Sequence, residues 1–214
     1  EGLLSSTYLD TKKSEFKNIL EKEFSGAKDY KIKMKWFDGV WSRFKPEIGK
    51  DRRGVTGIEK SELISVGKKI TEIPSNFNIH KTLIKIFEKK RKMFTEEQQI
   101  DWSTAEALAL GTLLNDGFSV RLSGQDSGRG TFSQRHSVLR NQDNHDRYIP
   151  LQNVSKKQKK FEIIDSLLSE LGVLGFEFGY SLSEPETLVI WEAQFGDFVN
   201  GAQVVIDQFI ASGE

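Results

Sequence analysis

The sequence predicts an α/β fold in which helices flank a mostly parallel sheet, preceded by a helical and irregular extension. From about residue 100 onward, segments with strand character alternate with helical patterns. The strand segments include FSVRLSG at 118–124, with β-branched alternation, and TLVIWEA at 187–193, which is almost continuously apolar. Continuous apolar strands that alternate with helices are typical of parallel sheets. We therefore predict a lysine-rich connecting segment over 1–99 and an α/β domain over 100–214.

Composition limits the function classes. The 214 residues include no cysteine, which excludes disulfides, thiolate metal sites and cysteine nucleophiles. No apolar stretch reaches membrane-spanning length, so no membrane association is expected. The chain begins at Glu1 and ends at Glu214 directly after an apolar helical run, and we expect both ends to be cuts within a longer protein.

The charge is zero overall but unevenly distributed. Residues 1–100 hold 22 Lys and Arg against 15 Asp and Glu, whereas residues 101–214 hold 9 against 16. The basic part indicates either an anionic partner or a lysine-rich solvated surface. The second interpretation is favoured because basic and acidic residues alternate there without aromatic stacking residues, and no nucleic-acid binding is expected.

The extension holds three predicted helices. Apolar residues at helical spacing predict the first over 9–24, and residues 30–58 are expected to be irregular. A short helix is predicted over 61–69. Another is predicted from 79 to about 94, with Asn78 as its N-cap.

The α/β domain opens with a clear helical pattern, IDWSTAEALALGTLLNDGF. Ser103 and Glu106 have the spacing of a capping box, and Gly117 is the expected stop. Weaker strand signals lie at 148–154 and 161–166. The run SLLSELGVLGFEFGYSL then predicts a helix before the strand at 187–193, and FVNGAQVVIDQFIAS predicts a final amphipathic helix.

The most unusual acid is Glu177, which stands between Phe176 and Phe178. A buried carboxylate loses solvation, its pKa rises, and it needs a partner. Enzymes use such groups for proton transfer. The alternative is a structural acid bound by backbone amides at a helix end, and spacing alone favours that alternative. The polar and aromatic residues that are considered together with Glu177 lie downstream, and they are Glu192, Gln194, Phe195 and Phe198.

Two further features carry weaker signals. The loop GQDSGRG follows a strand but lacks the Lys-Ser/Thr of a P-loop, so it fits an active-site loop better than a phosphate cradle. His80, His136 and His145 lack metal-ligand spacing, and no metal site is expected from this chain alone. His136 could face a substrate or the solvent.

Three long segments, IDWSTAEALALGTLL, VRLSGQDSGRGTFSQRHSVL and VLGFEFGYSLSEPETLVIWEAQFGDFVNGAQVVIDQFI, resemble the first, decarboxylating component of 2-oxoglutarate dehydrogenases. The resemblance covers residues 100–214 continuously and extends more loosely upstream. It implies the three-layer, pyrimidine-binding domain of the transketolase-like thiamine diphosphate fold.

The resemblance also implies roles for individual residues. A glutamate of these enzymes bonds the aminopyrimidine ring of thiamine diphosphate and promotes loss of the proton from the thiazolium carbon, and Glu177 is the expected counterpart. Phe198 matches the aromatic that stacks on the pyrimidine, and Phe195 and Gln194 are expected to line the same pocket. Gln125 stands where branched-chain relatives carry an acid.

For the whole enzyme, the resemblance implies oxidative decarboxylation of 2-oxoglutarate in the tricarboxylic acid cycle, with succinyl transfer to lipoamide. The implied partners are a second copy, giving a homodimer, and the lipoyl domain of a dihydrolipoyl succinyltransferase. Magnesium would be held by a domain absent from this chain, so the chain alone is expected to be inactive. The implied compartment is the bacterial cytoplasm, or the mitochondrial matrix of a eukaryote. The alternatives are a 2-oxoadipate dehydrogenase component and a non-catalytic assembly module.

Overall fold

The computed structural model describes residues 4–30, 39–45, 54–96 and 98–213. The chain forms two compact units, residues 1–42 and 43–214. The first unit contains helix α1 (Ser6–Gly26), which confirms the helix predicted over 9–24 and is capped by the Ser5 hydroxyl. None of the residues of α1 is buried within the described parts of the chain. Much of the predicted irregular region lies outside the described residues.

The second unit begins with three helices, α2 (Lys60–Ile70), α3 (Lys81–Thr95) and α4 (Trp102–Asn115). The helices agree with the predictions, and Gly117, with a φ of 96°, follows the end of α4 as expected.

Both predicted helix caps are wrong. His80 caps α3, because its ring nitrogen Nδ1 accepts from the Thr82 amide, whereas Asn78 donates to Asp143 at 3.0 Å. Asp101 caps α4 by accepting from the Thr104 amide at 2.8 Å, in place of Ser103. In both helices the observed cap lies two residues from the predicted one. The side chains of Asn78 and Ser103 have other partners, since Asn78 donates to Asp143 and Ser103 donates to Asp101.

A parallel three-stranded sheet forms the centre of the second unit. Its strands are β1 (Ser119–Gly124), β4 (Phe161–Asp165) and β5 (Thr187–Glu192), in the order β4–β1–β5. This confirms the predicted parallel α/β sheet flanked by helices. A separate antiparallel pair joins β2 (Leu139–Arg140) to β3 (Arg147–Tyr148). Of the strand predicted at 148–154, Tyr148 lies in β3, whereas Pro150 to Gln152 form a short 3₁₀ turn, since proline lacks the amide hydrogen that a sheet ladder needs.

Helix α5 (Glu170–Ser183) links β4 to β5 and packs on the sheet. The predicted final helix is divided into a 3₁₀ segment (Gly196–Ala202), one α-helical turn, α6 (Gln203–Val205), and a π-helical segment (Ile206–Ile210). Ala202 and Val205 pack with Leu174 of α5 in a small apolar cluster.

The main core lies between the sheet and helices α2, α3 and α4. Gly111 of α4 allows the close approach of α2, because a Cβ there would lie 2.6 Å from Val66. Residues from the predicted connecting segment therefore contribute to this core, while the boundary at 99/100 stays a prediction. The buried members of the core are Val66, Ile70, Phe94, Leu108, Leu110, Leu114, Val120, Leu122, Leu151, Val154, Phe161 and Ile163.

Candidate active site

A pocket lies at the carboxyl edge of the parallel sheet, where β1 and β5 end. Ligands of open α/β sheets bind at this edge because the loops that follow the strands converge there. The structure brings Gln125 and Gln194 together in this pocket, and their predicted role in cofactor binding stays a prediction. The lining residues are Gln125, Ser166, Leu168, Glu170, Val173, Trp191, Glu192, Ala193 and Gln194.

The backbone at the end of β1 requires glycine. Gly124 has a φ of 152°, and a Cβ at this position would overlap the carbonyl oxygen of Glu192 and lie 2.8 Å from the Ser127 hydroxyl. Glycine adopts this conformation without a steric cost. Strand β1 can therefore leave the sheet in close contact with the end of β5, which fixes the floor of the pocket.

A buried arginine ties the following loop to the strand ends. The Arg135 guanidinium donates to Glu106 of α4 at 2.6 and 3.0 Å, to Glu192 at the end of β5, and to the Ser127 carbonyl at 2.9 Å. Burial lowers the pKa of Arg135, but the hydrogen bonds that it donates to Glu106 and Glu192, together with their negative charges, outweigh burial and raise the pKa above its ordinary value. The arginine therefore stays charged and holds the Glu192 carboxylate in a fixed position.

Gln194 is also held in place. Its amide nitrogen donates to Asp126 at 2.8 Å, which joins the loop after β5 to the loop after β1. The loop after β1 has a second anchor, because the Gly128 amide donates to Asp165 at the end of β4 at 2.7 Å. The two loops that line the pocket are thus fixed to all three strands.

Glu170 begins α5 and brings a carboxylate to this pocket. Ser169 caps the helix and accepts from the Gly172 amide at 3.4 Å. The Glu170 side chain lies against Gly201, where a Cβ would be 3.4 Å from the carboxylate oxygen. In the described part of the chain, no hydrogen bond or ion pair engages this carboxylate. Glu170 is therefore available to a ligand in the pocket.

Three phenylalanine rings form a group, and two of them come shortly after Gln194 in the chain. Phe195 and Phe198 meet edge to face with ring centroids 5.6 Å apart, and Phe132 meets Phe195 in the same way at 6.0 Å. All three rings are exposed, although aromatic side chains of this size are usually buried. They provide a surface on which a planar heterocycle could stack.

Glu177 lies in a different place. Its carboxylate is 3% exposed and accepts two hydrogen bonds from the Arg121 guanidinium, at 2.7 and 2.9 Å. Arg121 stands in the middle of β1 and also donates to Glu162 at 3.2 Å. The prediction of a buried carboxylate with a partner agrees with the structure. However, Glu177 does not line the pocket, and a bidentate ion pair with Arg121 occupies both of its carboxylate oxygens. Its role as the cofactor glutamate stays a prediction.

His136 lies outside this pocket as well. It is half-buried, has a φ of 51°, and lines a separate small cavity with Lys90 and Thr104. Burial and then the nearby charge of Lys90 lower the pKa of His136, so the ring is neutral near neutral pH. Lys90 itself is buried, and its ammonium group lies 3.4 Å from the carbonyl oxygens of Gln134 and Arg135.

Sequence reasoning missed Glu170 as a candidate. It concentrated on the apolar neighbours of Glu177, whereas Glu170 has ordinary neighbours. The available signal was position: an acid next to a capping serine, where a helix begins after a parallel strand. Arg135 was also missed, since its two glutamate partners are 29 and 57 residues away in sequence.

Comparison with known families agrees with the fold. The profile of the family described as "Transketolase, pyrimidine binding domain" matches residues 98–214. The chain belongs to this family. The pyrimidine-binding domain thus contains the sheet, α4, α5 and every residue that lines the pocket.

Relatives over the whole length of the chain confirm the resemblance seen in the sequence. The chain is 49% identical to the 2-oxoglutarate dehydrogenase E1 component of Brucella anthropi, and 50% identical to the proteins of that name from Brucella canis and Rickettsia felis. Each match covers 100% of this chain but 22% of the relative. The chain therefore spans about a fifth of the length of these enzymes.

Within residues 4–30, 39–45, 54–96 and 98–213, no three His, Asp or Glu side chains form a group that could hold a metal ion. None of the described helices combines the length and apolar character that crossing a membrane requires.

Proposed function

We propose that this chain supplies the pyrimidine-binding part of a thiamine diphosphate site in a 2-oxoglutarate dehydrogenase first component. The observation that carries the proposal is the pocket at the carboxyl edge of the sheet, with Glu170, Gln125 and Gln194 at its walls. Family membership and the names of the relatives support the cofactor and the reaction class.

The residues present fit an aminopyrimidine. This ring needs acceptors and donors at its edge and apolar contact on its faces. Glu170 offers a carboxylate without another partner in the described chain, and the glutamine side chains offer both donors and acceptors. Phe195 and Phe198, which come shortly after Gln194 in the chain, offer exposed ring surfaces.

We assign to Glu170 the role that the sequence predicted for Glu177. Proton transfer requires a carboxylate within hydrogen-bond reach of the reacting group. Glu170 faces the pocket, whereas Glu177 is bound on both oxygens by Arg121. In this proposal Glu170 holds a proton at a ring nitrogen of the pyrimidine, and Arg135 keeps Glu192 in place at the pocket wall.

Thiamine diphosphate, when bound, supplies the electron sink for decarboxylation of a 2-oxo acid. The residues of this chain bind and orient its pyrimidine. His136 is proposed to face the 2-oxo acid in the complete enzyme, where its lowered pKa keeps the ring neutral and able to accept a hydrogen bond. Magnesium and the diphosphate group are assigned to a domain outside this chain, and succinyl transfer to a lipoyl domain of the succinyltransferase partner.

A homodimer is part of the proposal. The outward side of α5 carries the exposed apolar residues Leu171 and Phe176. Gly175 and Gly179 of the same helix have no neighbour within 4 Å of a built Cβ. A second copy could approach such a helix closely, and its diphosphate-binding domain would then complete the site.

The test uses the full-length enzyme with 2-oxoglutarate and an artificial electron acceptor. We expect Glu170→Gln to lose at least about 10²-fold in kcat, the contribution typical of a proton-transfer group. Glu184→Gln, at the exposed C-terminal end of the same helix, is the matched control and should retain the wild-type rate. Wild-type activity in Glu170→Gln would contradict the assignment, and preferential turnover of 2-oxoadipate would change the proposed substrate.

A further inference from the structure

We propose that the buried Arg121–Glu177 ion pair is a positioning device that sets where helix α5 lies along the sheet and so places Glu170 in the pocket. This inference rests on the proposed function of Glu170. In this proposal Glu177 acts through the position of Glu170 and itself contacts neither cofactor nor substrate.

Helix geometry connects the two glutamates. Glu170 and Glu177 are seven residues apart on α5. Seven residues make about two turns and a rise of about 10.5 Å, so the two side chains lie on the same face of the helix. Val173 and Leu174 lie between them, and these two residues with Glu177 are the buried residues of α5.

Strand geometry matches this spacing. Arg121 precedes Gln125 by four residues on and after β1. Four residues of a strand span about 13 Å. Helix α5 therefore runs antiparallel to β1, with Glu177 held at Arg121 and Glu170 close to Gln125 in the pocket. A shift of α5 at the ion pair would move Glu170 by the same distance.

The contact has the directionality that positioning requires. The two parallel hydrogen bonds of 2.7 and 2.9 Å fix both the distance and the orientation of the carboxylate relative to β1. The Arg121 guanidinium also lies 4.7 Å from the Tyr180 ring centroid and 5.2 Å from that of Phe176, both on α5. Glu162 of β4 holds the guanidinium from the other side at 3.2 Å. Arg121 is thus fixed to the sheet and contacts three residues of α5, which are Phe176, Glu177 and Tyr180.

Apolar packing alone would hold α5 less firmly along its axis. Val173 and Leu174 are the two buried apolar residues of the helix, and apolar contacts are non-directional. A buried ion pair is a poor source of stability, since desolvation offsets its attraction, and its best-attested use is to fix register. Catalytic geometry is sensitive to small shifts, because a displacement of about 1 Å can reduce a rate about 10²-fold.

The experiment measures thiamine diphosphate affinity, kcat and melting temperature of the full-length enzyme. Arg121→Met with Glu177→Met replaces the pair by side chains of similar length and should melt close to the wild-type temperature, as apolar replacements of buried ion pairs do. We expect its affinity for thiamine diphosphate and its kcat each to fall about 10- to 100-fold. Wild-type affinity and kcat in this double variant would overturn the proposal.

Glu177→Gln tests the same idea if the double variant does not fold. It keeps the size of the side chain and one hydrogen bond while removing the charge. We combine it with Glu170→Gln in a cycle read by cofactor affinity. If Glu177 acts through Glu170, Glu177→Gln weakens binding in the wild-type background and has little further effect in Glu170→Gln. Equal effects in both backgrounds, or no effect in the first, would overturn the positioning role.

The two proposals fail in different ways. Full activity of Glu170→Gln would contradict the proposed function itself. An inactive Glu170→Gln beside an unaffected Glu177→Gln would leave that function in place and remove only the positioning role.

Discussion

Replacing Arg121 by methionine would leave the buried Glu177 carboxylate without its ion-pair partner. Glu177 is 3% exposed, and the two hydrogen bonds from Arg121 are those that the structure shows for its carboxylate. Removal of one partner of a buried ion pair costs about 3–5 kcal/mol, because the remaining charge stays desolvated without compensation. We therefore expect Arg121→Met to lower the free energy of unfolding of this chain by about 3 kcal/mol or more.

Urea denaturation followed by circular dichroism measures this loss. Arg121→Met with Glu177→Met is the matched control and should lie within about 1–2 kcal/mol of the wild type, since both charges of the buried pair are then removed and Glu162 keeps its ion pair with Lys160. A single variant as stable as the double variant at neutral pH would refute the reasoning.

Two further predictions concern the loops around the pocket. Gly124→Ala should lower the free energy of unfolding by at least about 1–3 kcal/mol, because its φ of 152° is strained for alanine and the new methyl group would overlap the Glu192 carbonyl. Thermal melting measures this loss. The control Gly57→Ala, whose methyl group would meet no atom within 4 Å, should melt like the wild type. Lys90→Met should raise the pKa of His136, because the Lys90 charge helps to lower it; an NMR titration of the ring protons that shows an unchanged or lower pKa would contradict this electrostatic coupling.

The lowered pKa of His136 also has a consequence for stability. A histidine whose folded pKa lies below its unfolded value near 6.5 takes up its proton more readily when unfolded. Above the unfolded pKa, His136 is neutral in both states and does not reduce the free energy of unfolding. As the pH falls from the unfolded pKa toward the folded pKa, protonation of the unfolded state lowers the free energy of unfolding. His136→Gln should therefore reduce the acid-side loss of stability in urea denaturation curves. A loss identical to that of the wild type would show that other groups cause it.

The fold was largely predictable from the sequence because it rests on local periodicity. The apolar runs that became β1 and β5 and the amphipathic pattern of α3 depend on neighbouring residues, and these were predicted correctly. The helix caps were not, since several polar residues near each helix start could accept the same amide. The structure selects His80 and Asp101 by placing only those side chains over the free amides.

The candidate site was predictable in part. Gln125 directly follows β1 and Gln194 lies two residues after the end of β5, so the edge of the sheet on which they lie follows from chain order alone. The choice between Glu170 and Glu177 could not be made in this way. Both lie on one face of α5, and the partner of Glu177 is 56 residues away on β1. Only the packing of α5 on the sheet shows which of the two glutamates reaches the pocket.

Proton exchange at the thiazolium carbon of thiamine diphosphate bound to the full-length enzyme tests the central assignment most directly. Its rate in deuterated buffer can be followed by NMR for the wild type, Glu170→Gln and Glu177→Gln. We predict that Glu170→Gln slows the exchange by about 10²- to 10⁴-fold, and more than Glu177→Gln does. Exchange at the wild-type rate in Glu170→Gln, together with stalled exchange in Glu177→Gln, would contradict the account.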